Sequence, residues 1–422
     1  MPMRTSYGTS GSWAGVVELL ERERERQPTI WLDVGDLVVG NPSYALTAER
    51  PWAEVAMLPI AAAAVGNHEF DDGVDALRWA ARTLPFPLLC ANVDVGLAPA
   101  CLLDIDGGAV GVIGLTHPRA DCLSTAPRAA ADWPERVAAL ARDLRADGAR
   151  WVVALLHDGV EWWPRDDGVA TRHDRLDAVV RPWAEHVDLV LAGHNFAAWT
   201  GELGGTPAAE PHVFAGSLAV VDLAETVVVR GVFRVPGVRP GHSSTAIAAI
   251  DAAAAHIVAH SAEQWVTRTG AERYLPDLIA GGFRRATGAD AGFVMPSLHG
   301  IQAPLDGAIA ALGPGPVSEL DVIRMFAAPD YDPVVAELGP GELRTVADAY
   351  WTTADPRNTD ADRLAWNWCR MPPGVSAPAD APATVAVVPG VVAHLSEWLG
   401  RDVATEPGGC SASEAVIGAL SG

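Results

Sequence analysis

Short apolar runs, each closing in a polar or glycine-containing turn, recur through the first half of the chain with helical patterns between them. The runs at 29–33, 87–91, 109–114, 151–156 and 187–191 have strand length and are too short for helices. A chain with this rhythm folds as a layered α/β unit, whose ligands gather at the carboxyl ends of its strands. Ahead of the first run, Ser12 is placed to cap a helix passing through Trp13, Val16, Val17, Leu19 and Leu20 into the alternating Glu/Arg tract 21–26. That tract reads as a solvated helix face laced by i,i+3 and i,i+4 pairs.

Further along, 213–220 and 226–235 read as strands of a closing sheet, and the Pro- and Gly-rich segment 236–241 as a boundary. An Ala-rich helix over about 244–262 leads into a second region, where 274–351 again mixes helices and strands and 372–383 reads as a loop. The expected division is a first domain over 1–238, a linker helix over 239–265 and a second domain over 266–422. With 49% hydrophobic and 20% charged residues, the 422-residue chain has the apolar content for large cores and is not a disordered type.

Charge and residue usage exclude several functions. Thirty basic against 53 acidic residues leave a net charge of −23, which argues against nucleic-acid and anionic-membrane partners, since both require a positive field. No lysine occurs, so Schiff-base chemistry and lysine-dependent phosphate loops are ruled out. The cysteines at 90, 101, 122, 369 and 410 are scattered without metal-type pairs and fit reduced thiols. No apolar run reaches the ~18 residues a membrane span needs, and 1–10 has no signal-peptide core, so a soluble, cytoplasmic product is expected.

Four segments place a metal-type or acid–base side chain directly after an apolar run. In Trp31-Leu32-Asp33-Val34-Gly35-Asp36 the run ends in a Gly-containing turn from which Asp36 projects, a carboxylate suited to a hard or borderline divalent cation. Gly66-Asn67-His68-Glu69-Phe70-Asp71 combines an amide oxygen for a metal in Asn67 with an imidazole, His68, that Asp71 can orient as acid or charge stabiliser. Leu155-Leu156-His157-Asp158-Gly159 and Leu191-Ala192-Gly193-His194-Asn195 each carry a histidine just past a strand, where a metal ligand is rigidly held. Taken singly, each is an ordinary turn residue or a hydrogen-bonded structural histidine.

Together, in this order and at these separations, the segments resemble the motif series of the calcineurin-like metallophosphoesterases, specifically the 5'-nucleotidase branch. Residues 66–71 match that branch's Gly-Asn-His-Glu-Phe-Asp letter for letter. Ala91-Asn92-Val93 and 111–115 support the match, and 272–290 and 334–343 are similar to two segments of the family's substrate-binding domain, so the resemblance covers nearly the whole chain. It implies an α/β protein: an N-terminal layered β-sandwich flanked by helices, plus a C-terminal α/β domain that clasps the nucleoside. It assigns Asp36 as bridging carboxylate, Asn67, His157 and His194 as the second metal's remaining ligands, and His68 with Asp71 as the catalytic dyad. The implied cofactor is a divalent metal ion, open among Mn, Zn, Mg, Fe and Co. The implied partner is a nucleotide-like small molecule; oligomeric state is left open.

The chain also departs from the family pattern. The family's opening Asp-x-His pair has no counterpart in 1–11, and Phe196 stands where a second ligand of the first metal belongs. A misassigned start would explain the former but not Phe196. The family's substrate-contacting Asn-Gly-Gly-Gly-Ile-Arg reads Ser297-Leu298-His299-Gly300-Ile301-Gln302, without the arginine, and its final Gly-Gly-Asp-Gly-aromatic stretch is not recognisable after Trp398. Ser297, His299, Gln302 and Tyr331 are therefore candidates for a reshaped substrate pocket. Trp366-Asn367-Trp368 either joins them or packs helix to sheet, and Trp162-Trp163 either walls the site or forms a domain-contact patch. The expectation is a metal-dependent hydrolase acting on a phosphate ester of a nucleotide-like molecule, with one cation firmly bound and the first metal position incomplete. The alternatives are a single-metal enzyme of non-phosphatase chemistry in specialised metabolism and a non-catalytic binding protein.

Overall fold

The computed structural model describes residues 12–38, 42–120, 125–165, 168–195, 197–212, 215–237, 245–266, 273, 275–293, 311–323, 325, 332–346 and 381–421. Its first region holds two sheets. β1 (Trp31–Asp33), β2 (Ile60–Ala64) and β3 (Leu88–Leu89) form a parallel three-stranded sheet with β2 in the middle. The second sheet uses β4 (Ala100–Ile105), β5 (Gly108–Leu115) and β6 (Ala149–Leu156), and, after a hairpin of β7 (Glu161–Arg165) and β8 (Gly168–Arg172), β9 (Leu189–Ala192), β10 (Trp199–Leu203) and β11 (Thr206–Glu210). Its order is β10-β11-β9-β6-β5-β4, parallel through the centre and antiparallel at both edges.

The side-chain alternation of β6 explains the stacking. Trp151, Val153 and Leu155 join Val110 and Val112 of β5 and Ala62, Ala64 and Leu89 of the small sheet in one buried cluster. Val152, Ala154 and Leu156 point the other way, packing with Val137 and Ala141 of helix Trp133–Ala146 and Leu176 of helix Asp174–Val180. On the far side of the small sheet, Ala63 packs with Phe70 and with Leu77 of helix Val74–Thr83. The layers run helix, sheet, sheet, helix, as the resemblance implied. Asn92 fastens the sheets near their carboxyl ends: its amide nitrogen donates to the Thr116 carbonyl at 2.7 Å, and its amide oxygen accepts from Thr116 N at 3.0 Å.

Ser12 caps helix Trp13–Arg24 through Gly15 N, 3.0 Å from its hydroxyl, and the tract after it is paired by Arg24–Glu21 at 3.0 Å and Arg26–Glu23 at 3.3 Å. The strands expected at 213–220 and 226–235 are Ser217–Asp222 and Val228–Arg234, an antiparallel ribbon of their own whose Val221 and Val229 pack on the inter-sheet cluster. The linker helix is shorter than expected. It runs Thr245–Ala255, and Ile257–Ser261 is instead a strand paired antiparallel with Gly315–Ser318. Exposed His260 stands between buried Ala259 and Ser261 there, so strand pairing and period-two packing override helical alanine content.

In the second region, Ala291–Gly292, Ala383–Val387, Val334–Leu338 and Thr405–Pro407 form a four-stranded sheet; helix Leu275–Thr287 packs on its first two strands and helix Ala412–Ser421 packs on that helix. Among the described residues, its buried cluster is drawn from 259–416, with Val258, Ile417, Ala419 and Leu420 packed against it. Among the described residues no helix is long and apolar enough to cross a membrane.

Candidate metal centre

The carboxyl ends of β1, β2, β6 and β9 converge. β1 turns through Gly35 to Asp36, β2 runs out to Asn67 and His68, β6 delivers His157, and β9 delivers His194. Asp36, His157 and His194 each offer one ligating atom, all within 4.8 Å of one another. Asn67 joins them, its Oδ1 3.2 Å from His157 Nε2, which also faces Asp36 Oδ2 at 3.1 Å.

His157 shows what the cluster is shaped for. Its Nδ1 stands 2.7 Å from the Val34 carbonyl oxygen, and a carbonyl only accepts, so Nδ1 carries the hydrogen. In the neutral ring, Nε2 is then a lone pair facing oxygens of both Asp36 and Asn67. Lone pairs turned on one another repel unless a proton or a metal cation stands among them, and the set of imidazole, carboxylate and amide oxygen suits a borderline divalent ion. The charges agree. Burial opposes ionisation of Asp36, but the imidazoles of His157, His68 and His194 hold its carboxyl well below the usual range. Burial also disfavours the His157 cation, yet Asp36 and Glu69 pull its pKa upward. His194 is pushed the other way, first by burial and then by His117 and His157, into the neutral form that ligates metals.

Two of the donors sit on backbone that ordinary residues avoid: Asp36 has φ 59° and His194 has φ 74°. Such conformations cost about 1–3 kcal/mol each and persist where the surroundings impose them. For Asp36 the imposing group is Glu69, buried, whose carboxylate accepts from Asp36 N at 2.8 Å, Leu37 N at 2.8 Å and Gly66 N at 2.6 Å. One side chain thus staples the β1 and β2 loops; burial, followed by the Asp36 charge, lifts its pKa to about 7. The loops touch so closely that a Cβ on Gly66 would lie 2.1 Å from Asp36 Oδ1.

His68 stands beside the cluster, its backbone N donating to Asp36 Oδ1 at 3.0 Å and its Nδ1 2.9 Å from Asp71 Oδ2. Arg50 reaches the same Asp71 oxygen at 3.4 Å. With Nδ1 held by Asp71, proton exchange with a substrate falls to Nε2.

The structure therefore gathers Asp36, Asn67, His68, Asp71, His157 and His194 in one place. Ser297, His299, Gln302, Tyr331, Phe196 and the Trp366–Trp368 cluster lie outside the described residues, and Trp162 and Trp163 lie on β7. Sequence reasoning left two groups without a role. Glu69 is the inter-loop staple, and its position inside the letter-for-letter motif was the available signal. His117 lies two residues past β5, the strand beside β6, and its ring centroid lies 4.7 Å from that of His194. Cys90, Cys101 and Cys410 are free thiols.

Residues 9–196 match the family model of the calcineurin-like phosphoesterases. This stretch is a calcineurin-like phosphoesterase domain. The trifunctional nucleotide phosphoesterase protein YfkN of Bacillus subtilis is 26% identical over 50% of the chain, and the 5'-nucleotidase of Mus musculus 27% over 45%. The chain spans only 17% of the first relative and 34% of the second. The crystal structure of a 5'-nucleotidase precursor from Thermus thermophilus superimposes with a TM-score of 0.70 at 17% identity, covering 97% of this chain and 90% of that one. The fold likeness thus extends past the phosphoesterase domain into the second region.

Proposed function

We propose that the chain is a metal-dependent phosphoesterase of the cytoplasm that cleaves a phosphate ester of a nucleotide-like small molecule. In this reading one divalent cation is firmly held by Asp36, Asn67, His157 and His194, and the first metal position of the family is incomplete. The observation that carries it is the convergence of Asp36 Oδ2 and Asn67 Oδ1 on the His157 lone pair, with the His68–Asp71 pair tied to the same carboxylate. When bound, such an ion supplies Lewis acidity towards a phosphoryl oxygen and makes bound water more acidic.

The chain's own residues do the rest. Asp71 fixes the ring orientation of His68, which donates from Nε2 to the phosphoryl oxygens as negative charge grows there. A molecule with a net charge of −23 and no lysine has no general field to draw in an anion, so attraction falls to the ion and to local dipoles. The nucleotide class of substrate is favoured by the likeness to a nucleotide phosphoesterase and to 5'-nucleotidases, and contacts to it fall to Ser297, His299, Gln302 and Tyr331.

The test combines metal analysis with turnover of nucleoside 5'-monophosphates after reconstitution with manganese. One equivalent per chain is expected; two would overturn the incomplete-site reading, and none the metal-dependent one. His68→Ala is expected to lower kcat by about 10²–10⁴-fold with little change in melting temperature. Unchanged turnover in that variant would remove the dyad from the mechanism.

A further inference from the structure

His117 belongs to none of the motifs that built the site, yet its ring touches that of His194, which also meets His157 edge-on with centroids 5.2 Å apart. Its nitrogens are both engaged. Nδ1 accepts from Arg119 N at 3.0 Å, so the hydrogen of the neutral ring sits on Nε2, which faces Asp158 Oδ1 at 3.5 Å. His117 therefore has no lone pair to offer a cation.

Asp158 is the anchor behind it. Fully buried, it is clamped by Arg175 through Nη1 to Oδ2 at 2.9 Å and Nη2 to Oδ1 at 2.6 Å, and it also accepts from Gly159 N at 2.9 Å. Both backbone neighbours of His194 are tied to the same loop: Gly193 N donates to the Asp158 carbonyl at 3.2 Å, and Asn195 Nδ2 to the Gly159 carbonyl at 2.9 Å. Gly159 is crowded in between, where a Cβ would lie 2.3 Å from the Gly193 oxygen. This is what holds His194 at its φ of 74°.

We propose that His117 is a positioning residue for the metal ligand His194: its ring, set by the Asp158–Arg175 pair, braces the His194 imidazole in the orientation that ligates the cation. The loop that supplies one imidazole ligand, His157, in this way also fixes the second. The inference rests on the metal reading of Asp36, Asn67, His157 and His194, and adds to it a residue that touches neither cation nor substrate. Hydrogen-bonded partners set behind a ligating histidine change metal affinity by about 10–100-fold when removed, and the ring brace of His117 is expected to act on the same scale.

The experiment is a cobalt(II) titration of the metal-free protein, followed by visible absorption, with imidazole ligands counted by X-ray absorption. His117→Ala is expected to bind cobalt about 10–100-fold more weakly, with shifted visible bands and an unchanged count of two imidazoles. Asp158→Asn, which loosens the anchor while leaving the ring, is expected to move affinity in the same direction. Should that buried substitution prevent folding, His117→Ala decides alone, with far-ultraviolet circular dichroism of the metal-free variant as control. Wild-type affinity and bands in His117→Ala would overturn the proposal, as would three imidazoles in the wild type, which would make His117 a ligand. A wild-type protein that takes up no cobalt would instead overturn the metal reading itself, and this inference with it.

Discussion

At the scale of single residues, the centre depends on how closely two loops approach. Asp36 occupies left-handed backbone because its N–H, with those of Leu37 and Gly66, points at the Glu69 carboxylate. Gly66→Ala would force its Cβ to within 2.1 Å of Asp36 Oδ1, a clash with the liganding group itself. Overpacking of this kind costs about 1–3 kcal/mol, so the variant is expected to fold with a lowered melting temperature and to lose manganese binding. Metal analysis beside a thermal melt checks this, and wild-type manganese content would show that the carboxylate needs no such placement. Asp36, Asn67, His157 and His194 were singled out in the sequence because each follows an apolar run and because together they resemble one family's motif series. Glu69 and His117 were not assigned roles, because theirs depend on burial and on neighbours distant along the chain.

At the scale of elements, the long apolar runs β5 and β6 were plain, while β2 was not. Ile60–Ala64 is mostly alanine, a weak strand former, and it is a strand because Ala62, Ala63 and Ala64 lie fully buried in the packing about the small sheet. The linker helix erred in the other direction, its alanines continuing into Ile257–Ser261, which pairs as a strand. In the second region, the turn after Val334–Leu338 is tied to the end of helix Pro389–Leu399 by Glu342, whose Oε1 accepts from Arg401 Nε at 2.8 Å. Arg401 holds the Glu342 carboxyl down to about 2. A carboxylate with a depressed folded-state pKa stabilises above its unfolded value of about 4.3 and loses that contribution as pH falls through the folded value. Between about pH 5 and pH 2.5 the wild type is expected to lose more melting temperature than Glu342→Gln, and parallel losses would show that the pair contributes nothing.

At the scale of the whole molecule, the proposed site needs four strand ends from two sheets to stay in place around its cation. A ligand that binds only the folded state stabilises it by RT ln(1 + [L]/Kd), about 2.7 kcal/mol at a hundredfold excess over Kd. Manganese is therefore expected to raise the melting temperature, a chelator to reverse the rise, and Asp36→Asn to abolish most of it. Differential scanning calorimetry reads all three, and a melt indifferent to manganese would mean that the cluster holds no ion. The sequence by itself determined the layered α/β class, the family resemblance and the donors that follow strands, because periodicity and short motifs are local properties of the chain. Only the tertiary structure decided that β9 lies beside β6, that Val34 reaches His157 across 123 positions, and that a buried carboxylate and a third imidazole brace the ligands. Strand order and burial arise from packing between distant segments, whose energies no local pattern of residues records.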